Sequence, residues 1–137
     1  MTAPAAELQK AIFAELGGDA ALLAALGGKR IFAEAPPSVA YPYIGFGRTG
    51  VYDWSTGGEK DTEQLFTLHI WSKAKGEAET VAIMELARAE LADKMLMLDG
   101  HQSVDLRLEF AEARYDEDLA VHHGLLRFRA LATTAPV

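Results

Sequence analysis

Hydrophobic residues recur at helical spacing, three or four positions apart, in three segments of the chain. In chain order, the apolar positions of these segments are Leu8, Ile12 and Leu16; Leu22, Leu23 and Leu26; and Ile83, Ala87 and Leu91. The first set predicts a helix over residues 5–16, which the pair Gly17-Gly18 ends. The second set predicts a short helix with Asp19 as its N-terminal cap. The third set predicts a longer helix over residues 77–93.

Alternation of apolar and polar side chains predicts strands in much of the remaining chain. Both alternating sets of residues 63–72 are largely apolar, so we expect this strand to lie in the centre of a sheet. Residues 103–114 and 119–131 each have one apolar face and are joined by the acidic turn 116–118, which predicts an antiparallel hairpin. The side chains expected to point inward from this hairpin are Val104, Leu106, Leu108, Phe110, Leu126, Phe128 and Ala130. The arginines expected to point outward are Arg107, Arg127 and Arg129.

Two weaker strands are predicted nearer the N-terminus, over residues 31–33 and 43–48. Gly45 and Gly47 leave one face of the second strand without side chains, and we expect a neighbouring subunit to pack there. The complete pattern predicts a single α+β domain over residues 1–137. We expect a mostly antiparallel sheet of four to five strands, with helices packed on one face.

Residues 49–62 have neither helical nor strand periodicity and form the longest irregular segment predicted for the chain. A polar loop of this length in a compact domain is usually functional or disordered. We expect the loop to be poorly ordered in an isolated subunit and to become ordered on assembly, with Tyr52 and Trp54 as anchors of an interface. The alternative is that the loop folds back over the sheet edge. The acidic residues expected to form a solvated face at this junction are Glu59, Asp61 and Glu63.

The net charge of −7 and the sequence pI near 5.0 disfavour specific binding to free nucleic acid, which requires a basic surface. An acidic wall would still let DNA slide past, because like charges repel. The chain has no cysteine, which excludes a disulfide scaffold and a cysteine-based zinc site. The start of the chain lacks the pattern of a signal peptide, and its apolar runs are far shorter than the ~20 residues of a membrane span. We therefore expect a protein that is made and acts in soluble form.

The polar residues form no pattern typical of a catalytic or metal site. On a strand, the adjacent residues His122 and His123 would point to opposite faces, so their rings could not hold one metal ion. We therefore expect no enzymatic activity, no cofactor and no required metal ion. The alternative is a small-molecule-binding or enzymatic α+β domain with a pocket near His69 and Trp71.

Several short motifs follow one another in a recognisable order. They are Pro36-Pro37, Tyr41-Pro42-Tyr43, the segment Leu-His-Ile-Trp-Ser-Lys-Ala-Lys-Gly at residues 68–76, Leu98-Asp99-Gly100-His101, and the closing Arg-Phe-Arg-Ala-Leu at residues 127–131. In this order and separation, the chain resembles the tail completion, or tail terminator, proteins of long-tailed phages and of gene transfer agents. The resemblance extends from about Leu8 to Leu131.

The resemblance implies a structural virion protein that caps the finished tail tube as a ring, usually a hexamer, and joins the tail to the head connector. It implies further copies of the chain, the tail tube protein and a head completion or connector protein as partners. DNA would pass through the ring without sequence-specific binding, and the acidic loop residues would face solvent or this channel. The implied location is the head–tail junction of the virion, after assembly in the bacterial cytoplasm. The resemblance carries over no catalytic residue.

Overall fold

The structure is a computed structural model that describes residues 4–47, 50–53, 61–92, 94–98 and 102–134. The helices described are α1 (Pro4–Gly17), α2 (Ala20–Leu26) and α3 (Ala78–Leu91). The strands described are β1 (Ile31–Phe32), β2 (Tyr43–Phe46), β3 (Gly50–Asp53), β4 (Asp61–Ser72), β5 (Met95–Leu98), β6 (Gln102–Asp116) and β7 (Val121–Thr134). The three predicted helices are therefore present, with ends shifted by one or two residues.

The strands form one mixed sheet in the order β1-β2-β4-β7-β6-β5, and β3 pairs with β4 beside this path. Only β1 and β2 pair in parallel among the described strands, while the other pairs are antiparallel. The predicted α+β class and the mostly antiparallel sheet are confirmed. The predicted count of four to five strands is too low, because the described part of the chain contains seven.

Strand β4 lies in the centre of the sheet, as its two apolar faces predict. It pairs with β7 from Asp61 to Ser72 on one side, and with β3 and β2 in succession on the other. β6 and β7 form the predicted hairpin. Its turn occupies residues 117–120, and β7 extends to Thr134. This hairpin and β4 form the centre of the sheet.

The helices pack on one face of the sheet, here called the inner face. The buried apolar side chains of this layer are Leu8, Ile12, Leu16, Leu22, Leu26, Ile83, Met84, Ala87 and Leu91 from the helices, and Ile44, Phe66, Leu68, Ile70, Leu96, Val104, Leu106, Leu126, Phe128 and Ala130 from the strands. Phe13 of α1 meets Phe46 edge to face at 4.8 Å, and Phe46 stacks in turn on Phe66. A continuous apolar core therefore holds α1 and α3 against the sheet.

Local polar contacts set the ends of α2 and the entry into β2. The Asp19 carboxylate accepts a hydrogen bond from the Ala21 amide at 3.1 Å, which confirms the predicted N-cap. Arg30 donates from Nη1 to the carbonyl oxygens of Leu26 and Tyr41, at 2.8 and 3.0 Å. The second bond fixes the segment just before Pro42, whose peptide bond with Tyr41 is cis. The Tyr-Pro-Tyr motif thus joins the helical layer to the sheet.

The hairpin departs from strict alternation at a β-bulge between Leu108 and Phe110. The bulge adds one residue to β6 and reverses which side chains point inward beyond it. Phe110 was expected to point inward, and this expectation is wrong: it lies opposite Arg127 and is 44% exposed. Val104 and Leu106, before the bulge, are fully buried as expected.

The segment 49–62 is more regular than its sequence suggests. Gly50–Asp53 is a strand, and its residues pair with Leu65 to Thr62 of β4. The prediction of one irregular loop over 49–62 is therefore wrong at both ends, since β4 already begins at Asp61. A segment of only four residues without alternation can still form a strand, because the long neighbouring strand supplies partners for its backbone hydrogen bonds. Residues 54–60 lie outside the described residues.

Candidate assembly surface

The face of the sheet opposite the helices, here called the outer face, carries most of the residues singled out from the sequence. On β6 and β7 it presents what we call the arginine patch, which consists of Arg107, Phe110, Arg127, Arg129 and Leu131. All five side chains are exposed. The three arginines point outward as predicted, and the bulge brings Phe110 to the same surface.

Each arginine of the patch is held by a neighbour on its own chain. Arg129 Nε donates to Glu63 Oε1 at 2.9 Å, and Arg107 Nε donates to Asp105 Oδ2 at 3.2 Å. The Arg127 guanidinium lies 5.8 Å from the centre of the Phe110 ring, within the range of a cation–π contact. These contacts orient the three side chains before any partner arrives.

Glu63 was expected to belong to a solvated face, and this expectation is wrong. Its side chain lies on β4 beside β7 and is only 8% exposed, because Arg129 covers it. A buried carboxylate needs a charged or hydrogen-bonding partner, which Arg129 supplies. Glu63 is therefore a support for the arginine patch and is not itself a contact surface.

The patch places two like charges directly opposite each other. Arg107 and Arg129 are cross-strand partners, and with Leu108 and Glu109 they line a shallow depression. Like charges opposite each other on neighbouring strands destabilise a sheet. In the described residues, each of the two guanidinium groups is bonded only through Nε, so the terminal nitrogens remain free as donors. This geometry suits an incoming carboxylate.

On β4 and β7, the outer face carries a stack of aromatic and imidazole rings. Trp71 and His123 lie parallel with ring centres 4.0 Å apart, and His69 Nδ1 lies 2.7 Å from His123 Nε2. The His69 ring also occupies the space beside Gly47, where a Cβ atom would lie 2.8 Å from His69 Cδ2. Close packing on the bare face of β2 is therefore present at Gly47, but it comes from the chain's own His69 and not from a neighbouring subunit.

Burial lowers the pKa of both histidines of the stack. For His123, the nearby His69 and Arg114 lower the pKa further, while Asp116 and Glu112 partly oppose the shift. At neutral pH both rings are thus neutral, and one ring donates the shared hydrogen bond while the other accepts it. His122 points to the opposite face and packs against Tyr115 at 4.9 Å, as expected for adjacent strand residues.

Among the described residues, no three histidine, aspartate or glutamate side chains come together in a way that could hold a metal ion. His69 and His123 are a pair without a third ligand there. The described helices also include none that is long and apolar enough to cross a membrane.

The β6–β7 turn forms a second exposed feature, at the end of the hairpin remote from the patch. Asp116 Oδ1 accepts a hydrogen bond from the Leu119 amide at 3.0 Å, which orders the turn. Glu117 and Asp118 are exposed, and Leu119 is 62% exposed. We call residues 117–119 the acidic turn. A leucine at this exposure has no role in the core of its own domain.

The remaining candidates are only partly described. Tyr52 lies on β3, where its backbone pairs with Glu63, and Asp61 begins β4 opposite Thr133. Trp54 and Glu59 lie outside the described residues. The sequence pattern did not indicate that Phe110, Leu119 and Leu131 are exposed apolar residues. One signal was available for Phe110: the outward polar residues follow at intervals of two up to Glu109 and then skip to Glu112, which indicates an extra residue in the strand.

The chain matches a protein-family model and is similar to a number of solved chains. The profile of the family described as tail completion protein gp17 matches residues 10–133. A solved chain from the structure titled "Virion of native gene transfer agent (GTA) particle" is similar with a TM-score of 0.85 and 27% sequence identity. The match covers 97% of this chain and 99% of that one. No curated protein sequence matches the chain significantly.

Proposed function

Because the chain belongs to the family of tail completion protein gp17, we propose that it closes the tail tube of a virion as a ring and joins the tail to the head connector. The ring would contain six copies and would contact the tail tube protein on one side and a head completion or connector protein on the other. The proposed location is the head–tail junction of a phage or gene transfer agent particle, after assembly in the bacterial cytoplasm. The role is structural and involves no catalysis, cofactor or metal ion.

The observation that carries this proposal is the match to the gene transfer agent virion over nearly the full length of both chains. A likeness confined to a core of strands would support only a shared fold. Here the helices, the sheet and the long hairpin are all included in the match, at 27% identity. Such a likeness supports the proposal that the whole domain acts as one subunit of an assembly.

The exposed surfaces fit a subunit of an assembly. Interfaces are enriched in arginine and aromatic residues, and their anchors lie on pre-oriented side chains. The arginine patch has this composition, and each of its arginines is held by a contact within the chain. A closed ring also requires two different contact surfaces on each subunit, since the copies meet head to tail.

The net charge of −7 fits a ring that DNA traverses. Acidic groups along a channel repel phosphates, so that the duplex moves through without adhering. Glu59 and Asp61 are proposed for this lining. Glu63 is no longer a member of it, because its carboxylate is buried under Arg129.

The alternative of a ligand pocket near His69 and Trp71 has no support from the geometry there. The rings of Trp71 and His123 stack at 4.0 Å, and His69 is in contact with both His123 and the Gly47 backbone region. The side chains that would have lined the pocket fill it themselves. We therefore do not propose an enzymatic or small-molecule function.

The test is to make particles from cells that lack this chain and to image them by electron cryo-microscopy. We expect tails that are complete in length but unattached to heads, and attachment should return when the wild-type chain is supplied. A density map of complemented particles should show several copies in a ring at the head–tail junction. Attached, functional particles in the absence of the chain would refute the proposal.

A finer variant tests the loop anchor. Trp54→Ala should reduce attachment if Trp54 is desolvated against a neighbour, since truncating a buried aromatic anchor costs about 2 kcal/mol or more of binding. Deleting residues 51–60 would not test the loop alone, because it would also remove most of the paired strand Gly50–Asp53. Replacing only residues 54–60 by a short Asn-Gly turn should leave the melting temperature nearly unchanged while attachment fails. Wild-type attachment by both variants would remove the loop from the interface.

A further inference from the structure

We propose that the arginine patch of one copy receives the acidic turn of the next copy, and that this contact is the repeating interface of the ring. The proposal rests on the proposed function, because it names the two surfaces through which the copies of the ring meet. In this contact, Asp118 or Glu117 would enter the depression between Arg107 and Arg129, and Leu119 would lie against Phe110 and Leu131.

The patch has the donors for such a carboxylate. Arg107 is 67% exposed and Arg129 is 46% exposed at the side chain, and in the described residues both use only Nε within the chain. The planar fork of a guanidinium group binds a carboxylate through two parallel hydrogen bonds when its terminal nitrogens are free. A carboxylate between the two arginines would also relieve their mutual repulsion across the strands. Phe110 and Leu131 add exposed apolar surface beside the charges.

The acidic turn has the complementary chemistry. It presents two exposed carboxylates next to the exposed Leu119, and the hydrogen bond from the Leu119 amide to Asp116 holds the turn in shape. Free guanidinium donors beside apolar surface on one side therefore correspond to carboxylate acceptors beside apolar surface on the other.

The contact must join two copies. Asp116, which precedes the acidic turn, lies nine residues beyond Arg107 on the same strand. At the rise of an extended chain, the distance between these two residues is roughly 30 Å. Because β6 and β7 are paired up to Asp116 and Val121, the hairpin cannot fold back on itself to close this distance. The two surfaces are different and lie far apart on one subunit, which meets the requirement of a ring that the copies join head to tail.

The test measures oligomers of the full chain by native mass spectrometry at high concentration, and rings on purified tails by electron cryo-microscopy. Arg107→Glu and Asp118→Arg should each weaken assembly about tenfold or more, since each places like charges in contact. The double variant carrying both changes should assemble again. Lys10→Glu is the matched control, because it reverses an exposed charge on α1 outside both surfaces. This control should assemble like wild type.

Two further variants sharpen the test. Glu109 also lines the depression and opposes an incoming carboxylate, so Glu109→Gln should strengthen assembly. Leu119→Ser should weaken it, whereas Met95→Ser, which changes an exposed residue of the edge strand β5, should not. Circular dichroism and melting temperatures of all variants should match those of wild type, because the changed side chains are exposed.

An equal mixture of the Arg107→Glu and Asp118→Arg chains provides a decisive outcome. In an alternating ring, every altered patch meets an altered turn and every native patch meets a native turn, so a ring with an even number of copies should form although neither variant assembles alone. Assembly of the Arg107→Glu variant at the wild-type level would overturn the inference while leaving the ring intact. Loss of tail attachment without loss of rings would assign the patch to another tail protein and would also overturn it. Failure of the wild-type chain to form a ring in solution and on tails would instead refute the proposed function itself.

Discussion

Gly124 is a point of close contact between α3 and the sheet, and Gly124→Ala tests this packing. A Cβ atom added at Gly124 would lie 2.7 Å from Met84 Sδ and 2.8 Å from Thr80 Cγ2. Both contacts are shorter than van der Waals separation by most of an ångström, and all three residues are buried. Met84 can turn aside, but the branched side chain of Thr80 on a helix has little freedom to do so.

The expected cost follows from two opposing effects. Overpacking a close-packed core costs about 1–3 kcal/mol. Replacing glycine by alanine lowers the entropy of the unfolded chain and returns about 0.4–1 kcal/mol. We therefore expect Gly124→Ala to lower the free energy of unfolding by about 1–2 kcal/mol. Gly45→Ala on β2 is the control, because its Cβ would meet nothing closer than Tyr43 at 3.8 Å, so that this variant should be neutral or slightly more stable.

Urea denaturation followed by circular dichroism measures the effect, with an unchanged slope as evidence that only stability has altered. Thr80→Ala removes Cγ2 together with a buried hydroxyl that has no hydrogen-bond partner among the described residues. The combined variant Gly124→Ala/Thr80→Ala should therefore be more stable than the sum of the single changes predicts. Equal stability of Gly124→Ala and Gly45→Ala, with no coupling to Thr80, would refute the described packing of α3 on β7.

Three further predictions concern charge and capping. Burial lowers the folded-state pKa of His69 and His123 below the ordinary value of 6.5. The stability that depends on their neutral rings is therefore complete above pH 6.5 and is lost as the pH falls below it. Urea titrations between about pH 8 and about pH 5 should show this loss, and replacing both histidines by glutamine should reduce it. Arg129→Ala leaves the buried Glu63 carboxylate without its partner and should cost about 1–3 kcal/mol, but clearly less in a Glu63→Gln background, as a double-mutant cycle would measure. Asp19→Ala removes the cap of α2 and should cost about 1 kcal/mol in thermal or urea unfolding; an unchanged midpoint would show that this cap is not stabilising.

Sequence periodicity by itself determined the elements whose burial pattern is local. The apolar positions of α1, α2 and α3 repeat every three or four residues, and all of the predicted ones except Leu23 are buried in the structure. β4 is apolar on both faces and lies in the centre of the sheet, and the acidic run after β6 marks the turn of the hairpin. In each helix, one face meets the core along its whole length, so that the helical period is visible in the sequence. The order of short motifs also indicated the family that the profile match then showed.

The contacts of the outer face were decided only by the tertiary structure, although alternation had already predicted that Arg107, Arg127 and Arg129 point outward. The bulge after Leu108 shifts the register by one residue and turns Phe110 outward, because the position of an extra residue depends on the partner strand. Glu63 is buried because Arg129, which is sixty-six positions later in the chain, folds over it. His69 and His123 form a pair because β4 and β7 are neighbours, although fifty-four residues separate them. Contacts between distant segments leave no period in the sequence, and the candidate assembly surface consists almost entirely of such contacts.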